Sequence, residues 1–251
     1  MDVKEKLKEV IQENVKALNN NDFTTLYNAA YNKDWYSGKV TTLLTELLLD
    51  AGINPLEYMT YVPDYWLYTS ESVKKVTIPG NIKTVNFHAV ANNISLKELV
   101  LGDGIERIGI EAFFRNINLA KIVVPDSVTQ IDKGAFMGNY SLKEIKLPSN
   151  LTTISESLCS SCQSLVTVDI PKHVRSIGTA AFWYCPSLTS ITIPKSVVKI
   201  SSGAFEDSAL KEIIYEGTIE DWEKIELGEQ SSVSHALKLI CTNSEKQLRW
   251  W

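Results

Sequence analysis

From Val76 onward the chain repeats itself every 23 residues, and few folds accommodate that period. The units read VTIPGNIKTVNFHAVANNISLKE, LVLGDGIERIGIEAFFRNINLAK, IVVPDSVTQIDKGAFMGNYSLKE, IKLPSNLTTISESLCSSCQSLVT and VDIPKHVRSIGTAAFWYCPSLTS, and a sixth, ITIPKSVVKISSGAFEDSALKE, is one residue short. Pro79, Pro125, Pro148, Pro171 and Pro194 keep one register, with Gly102 standing in once. Ala-Phe recurs at Ala112-Phe113, Ala135-Phe136, Ala181-Phe182 and Ala204-Phe205. Within a unit, SLTSITIP alternates, so Leu188, Ile191 and Ile193 face inward and Ser190 and Thr192 outward, as a short strand requires. Pro194 ends that strand because it cannot donate to a ladder. Val197 and Ile200 then turn inward again, and the Ala-Phe pair is expected on a short helical turn. One unit cannot bury its apolar face alone. Stacked units can, which predicts a solenoid.

These motifs resemble the BspA-like (Treponema pallidum type) leucine-rich repeat family, over about residues 73–215. The segment YEGTIEDWEKI at 215–225 is similar to the one that closes such arrays, with Thr218 and Asp221 placed for a capping box and Trp222 and Ile225 on the buried side. The resemblance implies a curved solenoid with a sheet lining one face. The expected fold class is thus an α+β repeat solenoid, an array of about six 23-residue units between an N-terminal helical cap and a short C-terminal cap. The expected division is 1–72 for the helical cap, 73–214 for the array and 215–251 for the closing cap and tail.

Residues 1–70 do not repeat. Val3, Leu7, Val10, Ile11, Val15 and Leu18 recur at helical spacing, Asn19 to Asp22 is expected to break that helix, and Phe23 to Ala30 reads as a second. Ser37-Gly38 precedes a third, KVTTLLTELLLDAG, which Gly52 ends. This bundle reads as a cover for the exposed end of the solenoid core. It also reads as a docking or dimerisation module, through Tyr58, Tyr61, Tyr65, Trp66 and Tyr68. At the far end, Trp250 and Trp251 are expected to fold back on the last rung or to stand as a hydrophobic tag.

Cys159 and Cys162 form a C-x-x-C, a spacing used in redox and zinc sites. The repeat explains them otherwise. Cys162 shares a column with Asn93, Asn116, Asn139, Cys185 and Ser208, where small polar groups meet turn backbone. Cys159 shares the column of Phe113, Phe136, Phe182 and Phe205, where a thiol replaces a ring. Neither a metal nor another cofactor is expected. His88, His173 and His235 fall in different columns or outside the array, with nothing to complete a triad, so no catalytic residues are assigned.

Charge narrows the partners. The net charge is −5, with ten acids against six lysines in residues 1–70. Nothing resembles the basic stripe that nucleic acid demands. No apolar run approaches the ~18 residues of a membrane span, and the opening MDVKEKLKEVIQENV lacks a secretory core, so a cytoplasmic location is expected. What remains is a non-enzymatic scaffold that binds a protein through the exposed strand face. Two outward columns flank the buried strand residues. One contains Glu98, Lys121 and Glu144; the other contains Val100, Val123, Lys146, Asp169 and Thr192. Val100 and Val123 read as an apolar anchor inside a charged rim. The turn face carrying Arg115, Tyr140, Trp183 and Tyr184 is the rival. The resemblance includes signal-less bacterial and bacteriophage members, which makes a regulator or inhibitor of a host factor the expected role. A surface adhesin or a self-assembling virion component is the alternative.

Overall fold

The computed structural model describes residues 20–33, 39–229 and 238–247. The expected first helix, the Ser37-Gly38 start of the third, His235 and the Trp250-Trp251 end lie outside the described residues.

The strands stack in parallel rungs, as the alternation predicts. The strand-face ladder contains β3 (Lys75–Ile78), β6 (Glu98–Leu101), β8 (Lys121–Val123), β10 (Glu144–Lys146), β12 (Thr167–Val168), β14 (Ser190–Ile193), β16 (Glu212–Tyr215) and β18 (Lys238–Ile240). A second ladder is built from two-residue strands: β1 (Tyr61–Val62) leads to β4 (Thr84–Val85), β7 (Arg107–Ile108) and β9 (Gln130–Ile131), and β11 (Thr153–Ile154) to β13 (Ser176–Ile177), β15 (Lys199–Ile200) and β17 (Glu226–Leu227). Within each run of rungs the pairing is parallel, for example Thr84 with Arg107 and Ser176 with Lys199, with breaks between β6 and β8 and between β9 and β11 and a lone bridge between β12 and β14. The pairing of Val62 with Val85 shows a degenerate rung ahead of the first readable unit. Inward residues such as Ile122, Ile145 and Ile191 form one continuous core between the ladders.

The third side of each coil is a turn, and here the structure departs from the expected helical turn. Glu111 and Arg115, which flank the Ala112-Phe113 turn, both have φ near +50° (51° and 52°), and a right-handed helix cannot run through that conformation. The pattern recurs at 23-residue steps. Tyr65, His88, Glu111, Gly134, Ser157, Ala180 and Gly203 form one left-handed column, and Thr69, Asn92, Arg115, Gly138, Ser161, Tyr184 and Asp207 the other. The twisted turn aims its N–H groups along the solenoid axis. Phe113 N donates to Ala135 O at 2.9 Å, Phe136 N to Leu158 O at 3.0 Å and Phe182 N to Ala204 O at 2.8 Å. Phe113 and Phe136 stack with centroids 5.6 Å apart, as do Phe182 and Phe205 at 5.5 Å. Cys159 fills the place between these two pairs and is fully buried.

A buried polar ladder runs beside the rings. Asn93 N and Nδ2 both donate to Asn116 Oδ1, and Asn116 N donates to Asn139 Oδ1. The amide nitrogens reach carbonyls of the coil before: Asn93 to Leu67, Asn116 to Val90 and Asn139 to Phe113. Cys162 Sγ and Cys185 Sγ keep that donor role toward Phe136 O and Cys159 O, each at 3.3 Å. This is why Cys can follow Asn in the column.

The two ends are closed differently. Helix α1 (Asn20–Lys33) starts within the stretch expected to be a break, with Asp22 in its first turn beside the positive end of the helix dipole. Its Phe23 and Tyr27, one turn apart, are buried. Helix α2 (Lys39–Asp50) lies against the first turn and ends before Gly52, at φ +79°. Its buried threonines meet carbonyls that have no preceding coil. Thr41 donates to Tyr65 O, Thr42 to Tyr68 O and Thr45 to Trp66 O, at 2.6–2.7 Å. Since the Thr45 proton is so used, the Tyr27 hydroxyl donates to Thr45 Oγ1. At the other end, α3 (Ile219–Trp222) begins at the Thr218 cap and buries Trp222 against Tyr215. Strand β19 (Glu245–Gln247) then pairs antiparallel with β18.

Two stability predictions follow from the turn. Asn116→Ala leaves Asn93 N–H and the Val90 carbonyl without their side-chain partner and is expected to cost about 3 kcal/mol by urea unfolding, against about 1 kcal/mol for Asn116→Cys. Ala180, at φ 52°, carries a Cβ in the left-handed region, so Ala180→Gly should stabilise by about 1 kcal/mol. Loss of stability in that variant would contradict the turn geometry.

Candidate binding face

Along each strand of the first ladder, side chains alternate inward and outward, and the register lines up the outward ones from coil to coil. Glu144 lies beside Lys121 and Thr167, and Val123 beside Lys146. Asp169 bridges to Thr192, and Thr192 pairs with Ile214, which pairs with Ile240. Glu98, Val100, Lys121, Val123, Glu144, Lys146 and Asp169 are all exposed, while Thr192 is half-buried. Lys75 pairs with Glu98 at 2.6 Å and Lys121 with Glu144 at 2.8 Å. These are solvated pairs worth at most about 1 kcal/mol each, so they hold side chains in place more than they stabilise the fold.

The apolar residues form the more unusual feature. Val100 is 40% exposed and Val123 46%, and they flank the one step of this face where successive rungs are joined by neither ladder nor bridge: β6 and β8 are not hydrogen-bonded to each other. A cleft of about 490 Å³ opens there, floored by Leu99, Leu101, Ala120 and Pro125 and rimmed by Glu98, Asp103 and Lys121. Where the neighbouring units have proline, Gly102 N donates to Ile78 O at 2.8 Å. A Cβ on Gly102 would sit 2.5 Å from Gly80 N, and one on Gly104 1.7 Å from Gly80 O. Glycine lets this loop press onto the coil before it.

A second cleft, of about 590 Å³, lies at the other end of the same column, between Ile214 and Ile240, with Pro194, Tyr215, Lys172, Lys195 and Glu216 around it. Sequence reasoning placed Ile214 on the face but did not find this site, because Ile240 follows at 26 residues rather than 23. The residues just after the strands form a charged margin: Asp103 and Asp126 at the first cleft's end, Ser149 in the middle, Lys172 and Lys195 toward the second. All five are exposed. Ser149 N donates to Asp126 Oδ1 at 2.7 Å, which holds that carboxyl below the usual range and keeps it anionic.

The turn face is more divided. Arg115 lies over the rings of Phe114 and Tyr140, each at 5.8 Å. Trp183 and Tyr184 form a separate exposed pair, centroids 5.6 Å apart. His88 sits inside an aromatic group of Tyr65, Tyr68, Phe87 and Phe114 with its Nε2 on Glu111, so it braces a turn. His173 is exposed.

The cysteines are buried. Burial pushes the thiols of Cys162 and Cys185 well above their ordinary range, and the neighbouring thiols push them further. Among the described residues, no group of three or more His, Cys, Asp or Glu is placed to hold a metal ion, and no helix is long and apolar enough to cross a membrane.

The description "BspA type Leucine rich repeat region" matches the chain in six copies, over residues 60–189 and 111–231. Among solved structures, a leucine-rich repeat protein from Bacteroides ovatus superposes with a TM-score of 0.61 at 21% identity, over 73% of this chain and 53% of that one. The T. pallidum leucine rich repeat protein does so with a TM-score of 0.56 at 31% identity, over 62% of this chain and 73% of that one. This chain thus spans about half the length of the Bacteroides protein. No curated protein matches it.

With Cys159, Cys162, Cys185 and Cys241 all buried, an aromatic disulfide reagent at pH 8 should label fewer than about one thiol per chain in the native state and all four after unfolding in urea. Rapid native labelling of the C-x-x-C pair would restore a redox role.

Proposed function

The chain belongs to the BspA-type leucine-rich repeat family, and from that membership and the face just described we propose that it is a non-enzymatic scaffold that binds another protein through its exposed strand residues. The observation that carries this reading is the Val100/Val123 cleft, an apolar opening between two laddered stretches of the strand face, with Glu98, Lys121, Glu144 and Lys146 around it. Because the two valines are less than half exposed, covering them is worth about 1 kcal/mol each, a modest share of a micromolar affinity. The charges around them add selectivity by penalising a partner of the wrong sign.

In this reading residues 1–72 cover one end of the array, 73–214 present the face, and 215–251 close the other end. The protein acts in the cytoplasm on a protein of the cell it occupies, as a regulator or inhibitor would. Recovery in the soluble fraction of its native cells, rather than with the envelope, is the expected behaviour.

The triple variant Lys121→Glu, Val123→Arg, Lys146→Glu tests the face. Tagged wild type should enrich one protein from native lysate, identified by mass spectrometry, and the variant should lose it by at least about thirtyfold, near 2 kcal/mol. Thermal unfolding should be almost unchanged, because all three side chains are exposed. Equal capture by both proteins would remove the strand face from consideration.

A further inference from the structure

The strand face has an open seam between β6 and β8, and the backbone groups that face it are unused. Glu98 N and Gly102 N donate back to Lys74 O and Ile78 O, so the alternation of a strand turns the N–H and C=O groups of Leu99 and Leu101 toward β8. Val124 N donates forward to Lys146 O, so Lys121 and Val123 turn theirs back toward β6. The two sets face each other, yet neither ladder nor bridge joins them. Leu99 and Leu101 are also the most exposed inward residues of the strand face. The mixed charges of the cleft sort by position. Glu98 is paired with Lys75 and Lys121 with Glu144. That leaves Lys97 just before β6 and Asp103 just beyond it, both exposed and in no ion pair among the described residues.

We propose that this seam takes an extended segment of the partner protein as an added strand between β6 and β8, antiparallel to both, with a cationic residue over Asp103 and an anionic one over Lys97. The proposal rests on the strand-face reading above and specifies its occupant. Three observations support a strand. Backbone N–H and C=O groups need partners, and an extended chain offers both along its two edges, whereas a helix consumes its own internally. The seam can also widen. An added strand needs β6 and β8 two spacings apart, ~9.6 Å, and no backbone bond on this face resists that. On the other two sides the same coils stay joined, by the pairing of Arg107 with Gln130 and by Phe113 N to Ala135 O, which serve as the hinge. Finally, charge sets direction and length. Lys97 and Asp103 lie six positions apart, ~20 Å of extended chain at ~3.3 Å per residue, which suits about seven residues running from the Asp103 end to the Lys97 end.

The test uses synthetic seven-residue peptides with blocked ends against the full chain, read by fluorescence anisotropy at low salt. The first begins with arginine, ends with glutamate and has alternating valine and alanine between. The second exchanges the two charged residues. The third is the first with alternate backbone nitrogens methylated, which removes the donors of one edge. A fourth, hydrocarbon-stapled, carries the same residue types on a helix. The first should bind about tenfold tighter than the second, and at least about tenfold tighter than the methylated form. The Lys97→Glu, Asp103→Lys variant should reverse the preference between the first two. Both substitutions are exposed and leave folding intact, as thermal unfolding checks. Equal affinity for the first two peptides, tolerance of methylation, tighter binding of the helix, or no saturable binding of any probe overturns the strand assignment. If that happens while the strand-face triple variant still loses the native partner, the scaffold reading stands and only the occupant is wrong. If the triple variant keeps the partner, both fall.

Discussion

Each turn of this solenoid completes its backbone hydrogen bonds in the turns before and after it, and the rest of the structure depends on that. On the strand side, donors point both back along the chain, as in Gly102 N to Ile78 O, and forward, as in Val124 N to Lys146 O. On the turn side they point forward, as in Phe113 N to Ala135 O. A buried group left without such a partner costs about 1–3 kcal/mol, so no coil is stable by itself and a bare end is costly. This gives the helical front a definite task. The first turn's carbonyls at Tyr65, Trp66 and Tyr68 have no coil before them, and three threonine hydroxyls of α2 stand in for the missing N–H groups. A purely apolar helix could cover the core there but could not supply those donors.

The same dependence explains what was legible in the sequence. Buried columns repeat by residue type because their neighbours in adjacent coils constrain size and polarity, so the prolines, the Ala-Phe pairs and the Asn/Cys ladder could be read directly. The left-handed columns could not. The requirement there falls on the backbone, and His88, Glu111, Ser157 and Ala180 all meet it at a tolerable cost of about 1–2 kcal/mol each. With side chains free to vary, the column looked like an unconstrained loop. The rung at Tyr61–Val62 was hidden for a different reason. At its end of the array Pro55 and Ser70 replace the expected isoleucine and asparagine, because a helix rather than another coil lies beyond them.

On the binding face, relative magnitudes decide which residues matter. The pairs Lys75–Glu98 and Lys121–Glu144 are half exposed and contribute little to stability. Their effect is to fix charged groups at known distances from Val100 and Val123. The valines then supply the apolar surface whose burial drives association, and the fixed charges set which partners are rejected. The turn face has larger aromatic groups, but Arg115 with Tyr140 and Trp183 with Tyr184 are separated by the small residues Gly138, Ser160 and Ser161, so they do not merge into one patch.

A strictly regular array would present the same outline at every coil and give a partner no register to choose. Both clefts on this face fall at departures from the repeat, one in residue type and one in spacing. At the first, Gly102 replaces proline and gains a hydrogen bond to the coil before, and β6 is not joined to β8. At the second, Ile214 follows Thr192 by 22 residues and Ile240 follows Ile214 by 26, so the loops beyond the strands no longer stack as they do elsewhere. Regularity supplies the rigid frame and the core. The departures from it supply the concave surface a partner can recognise, so in a repeat protein of this kind the irregular units are where a binding site should be sought first.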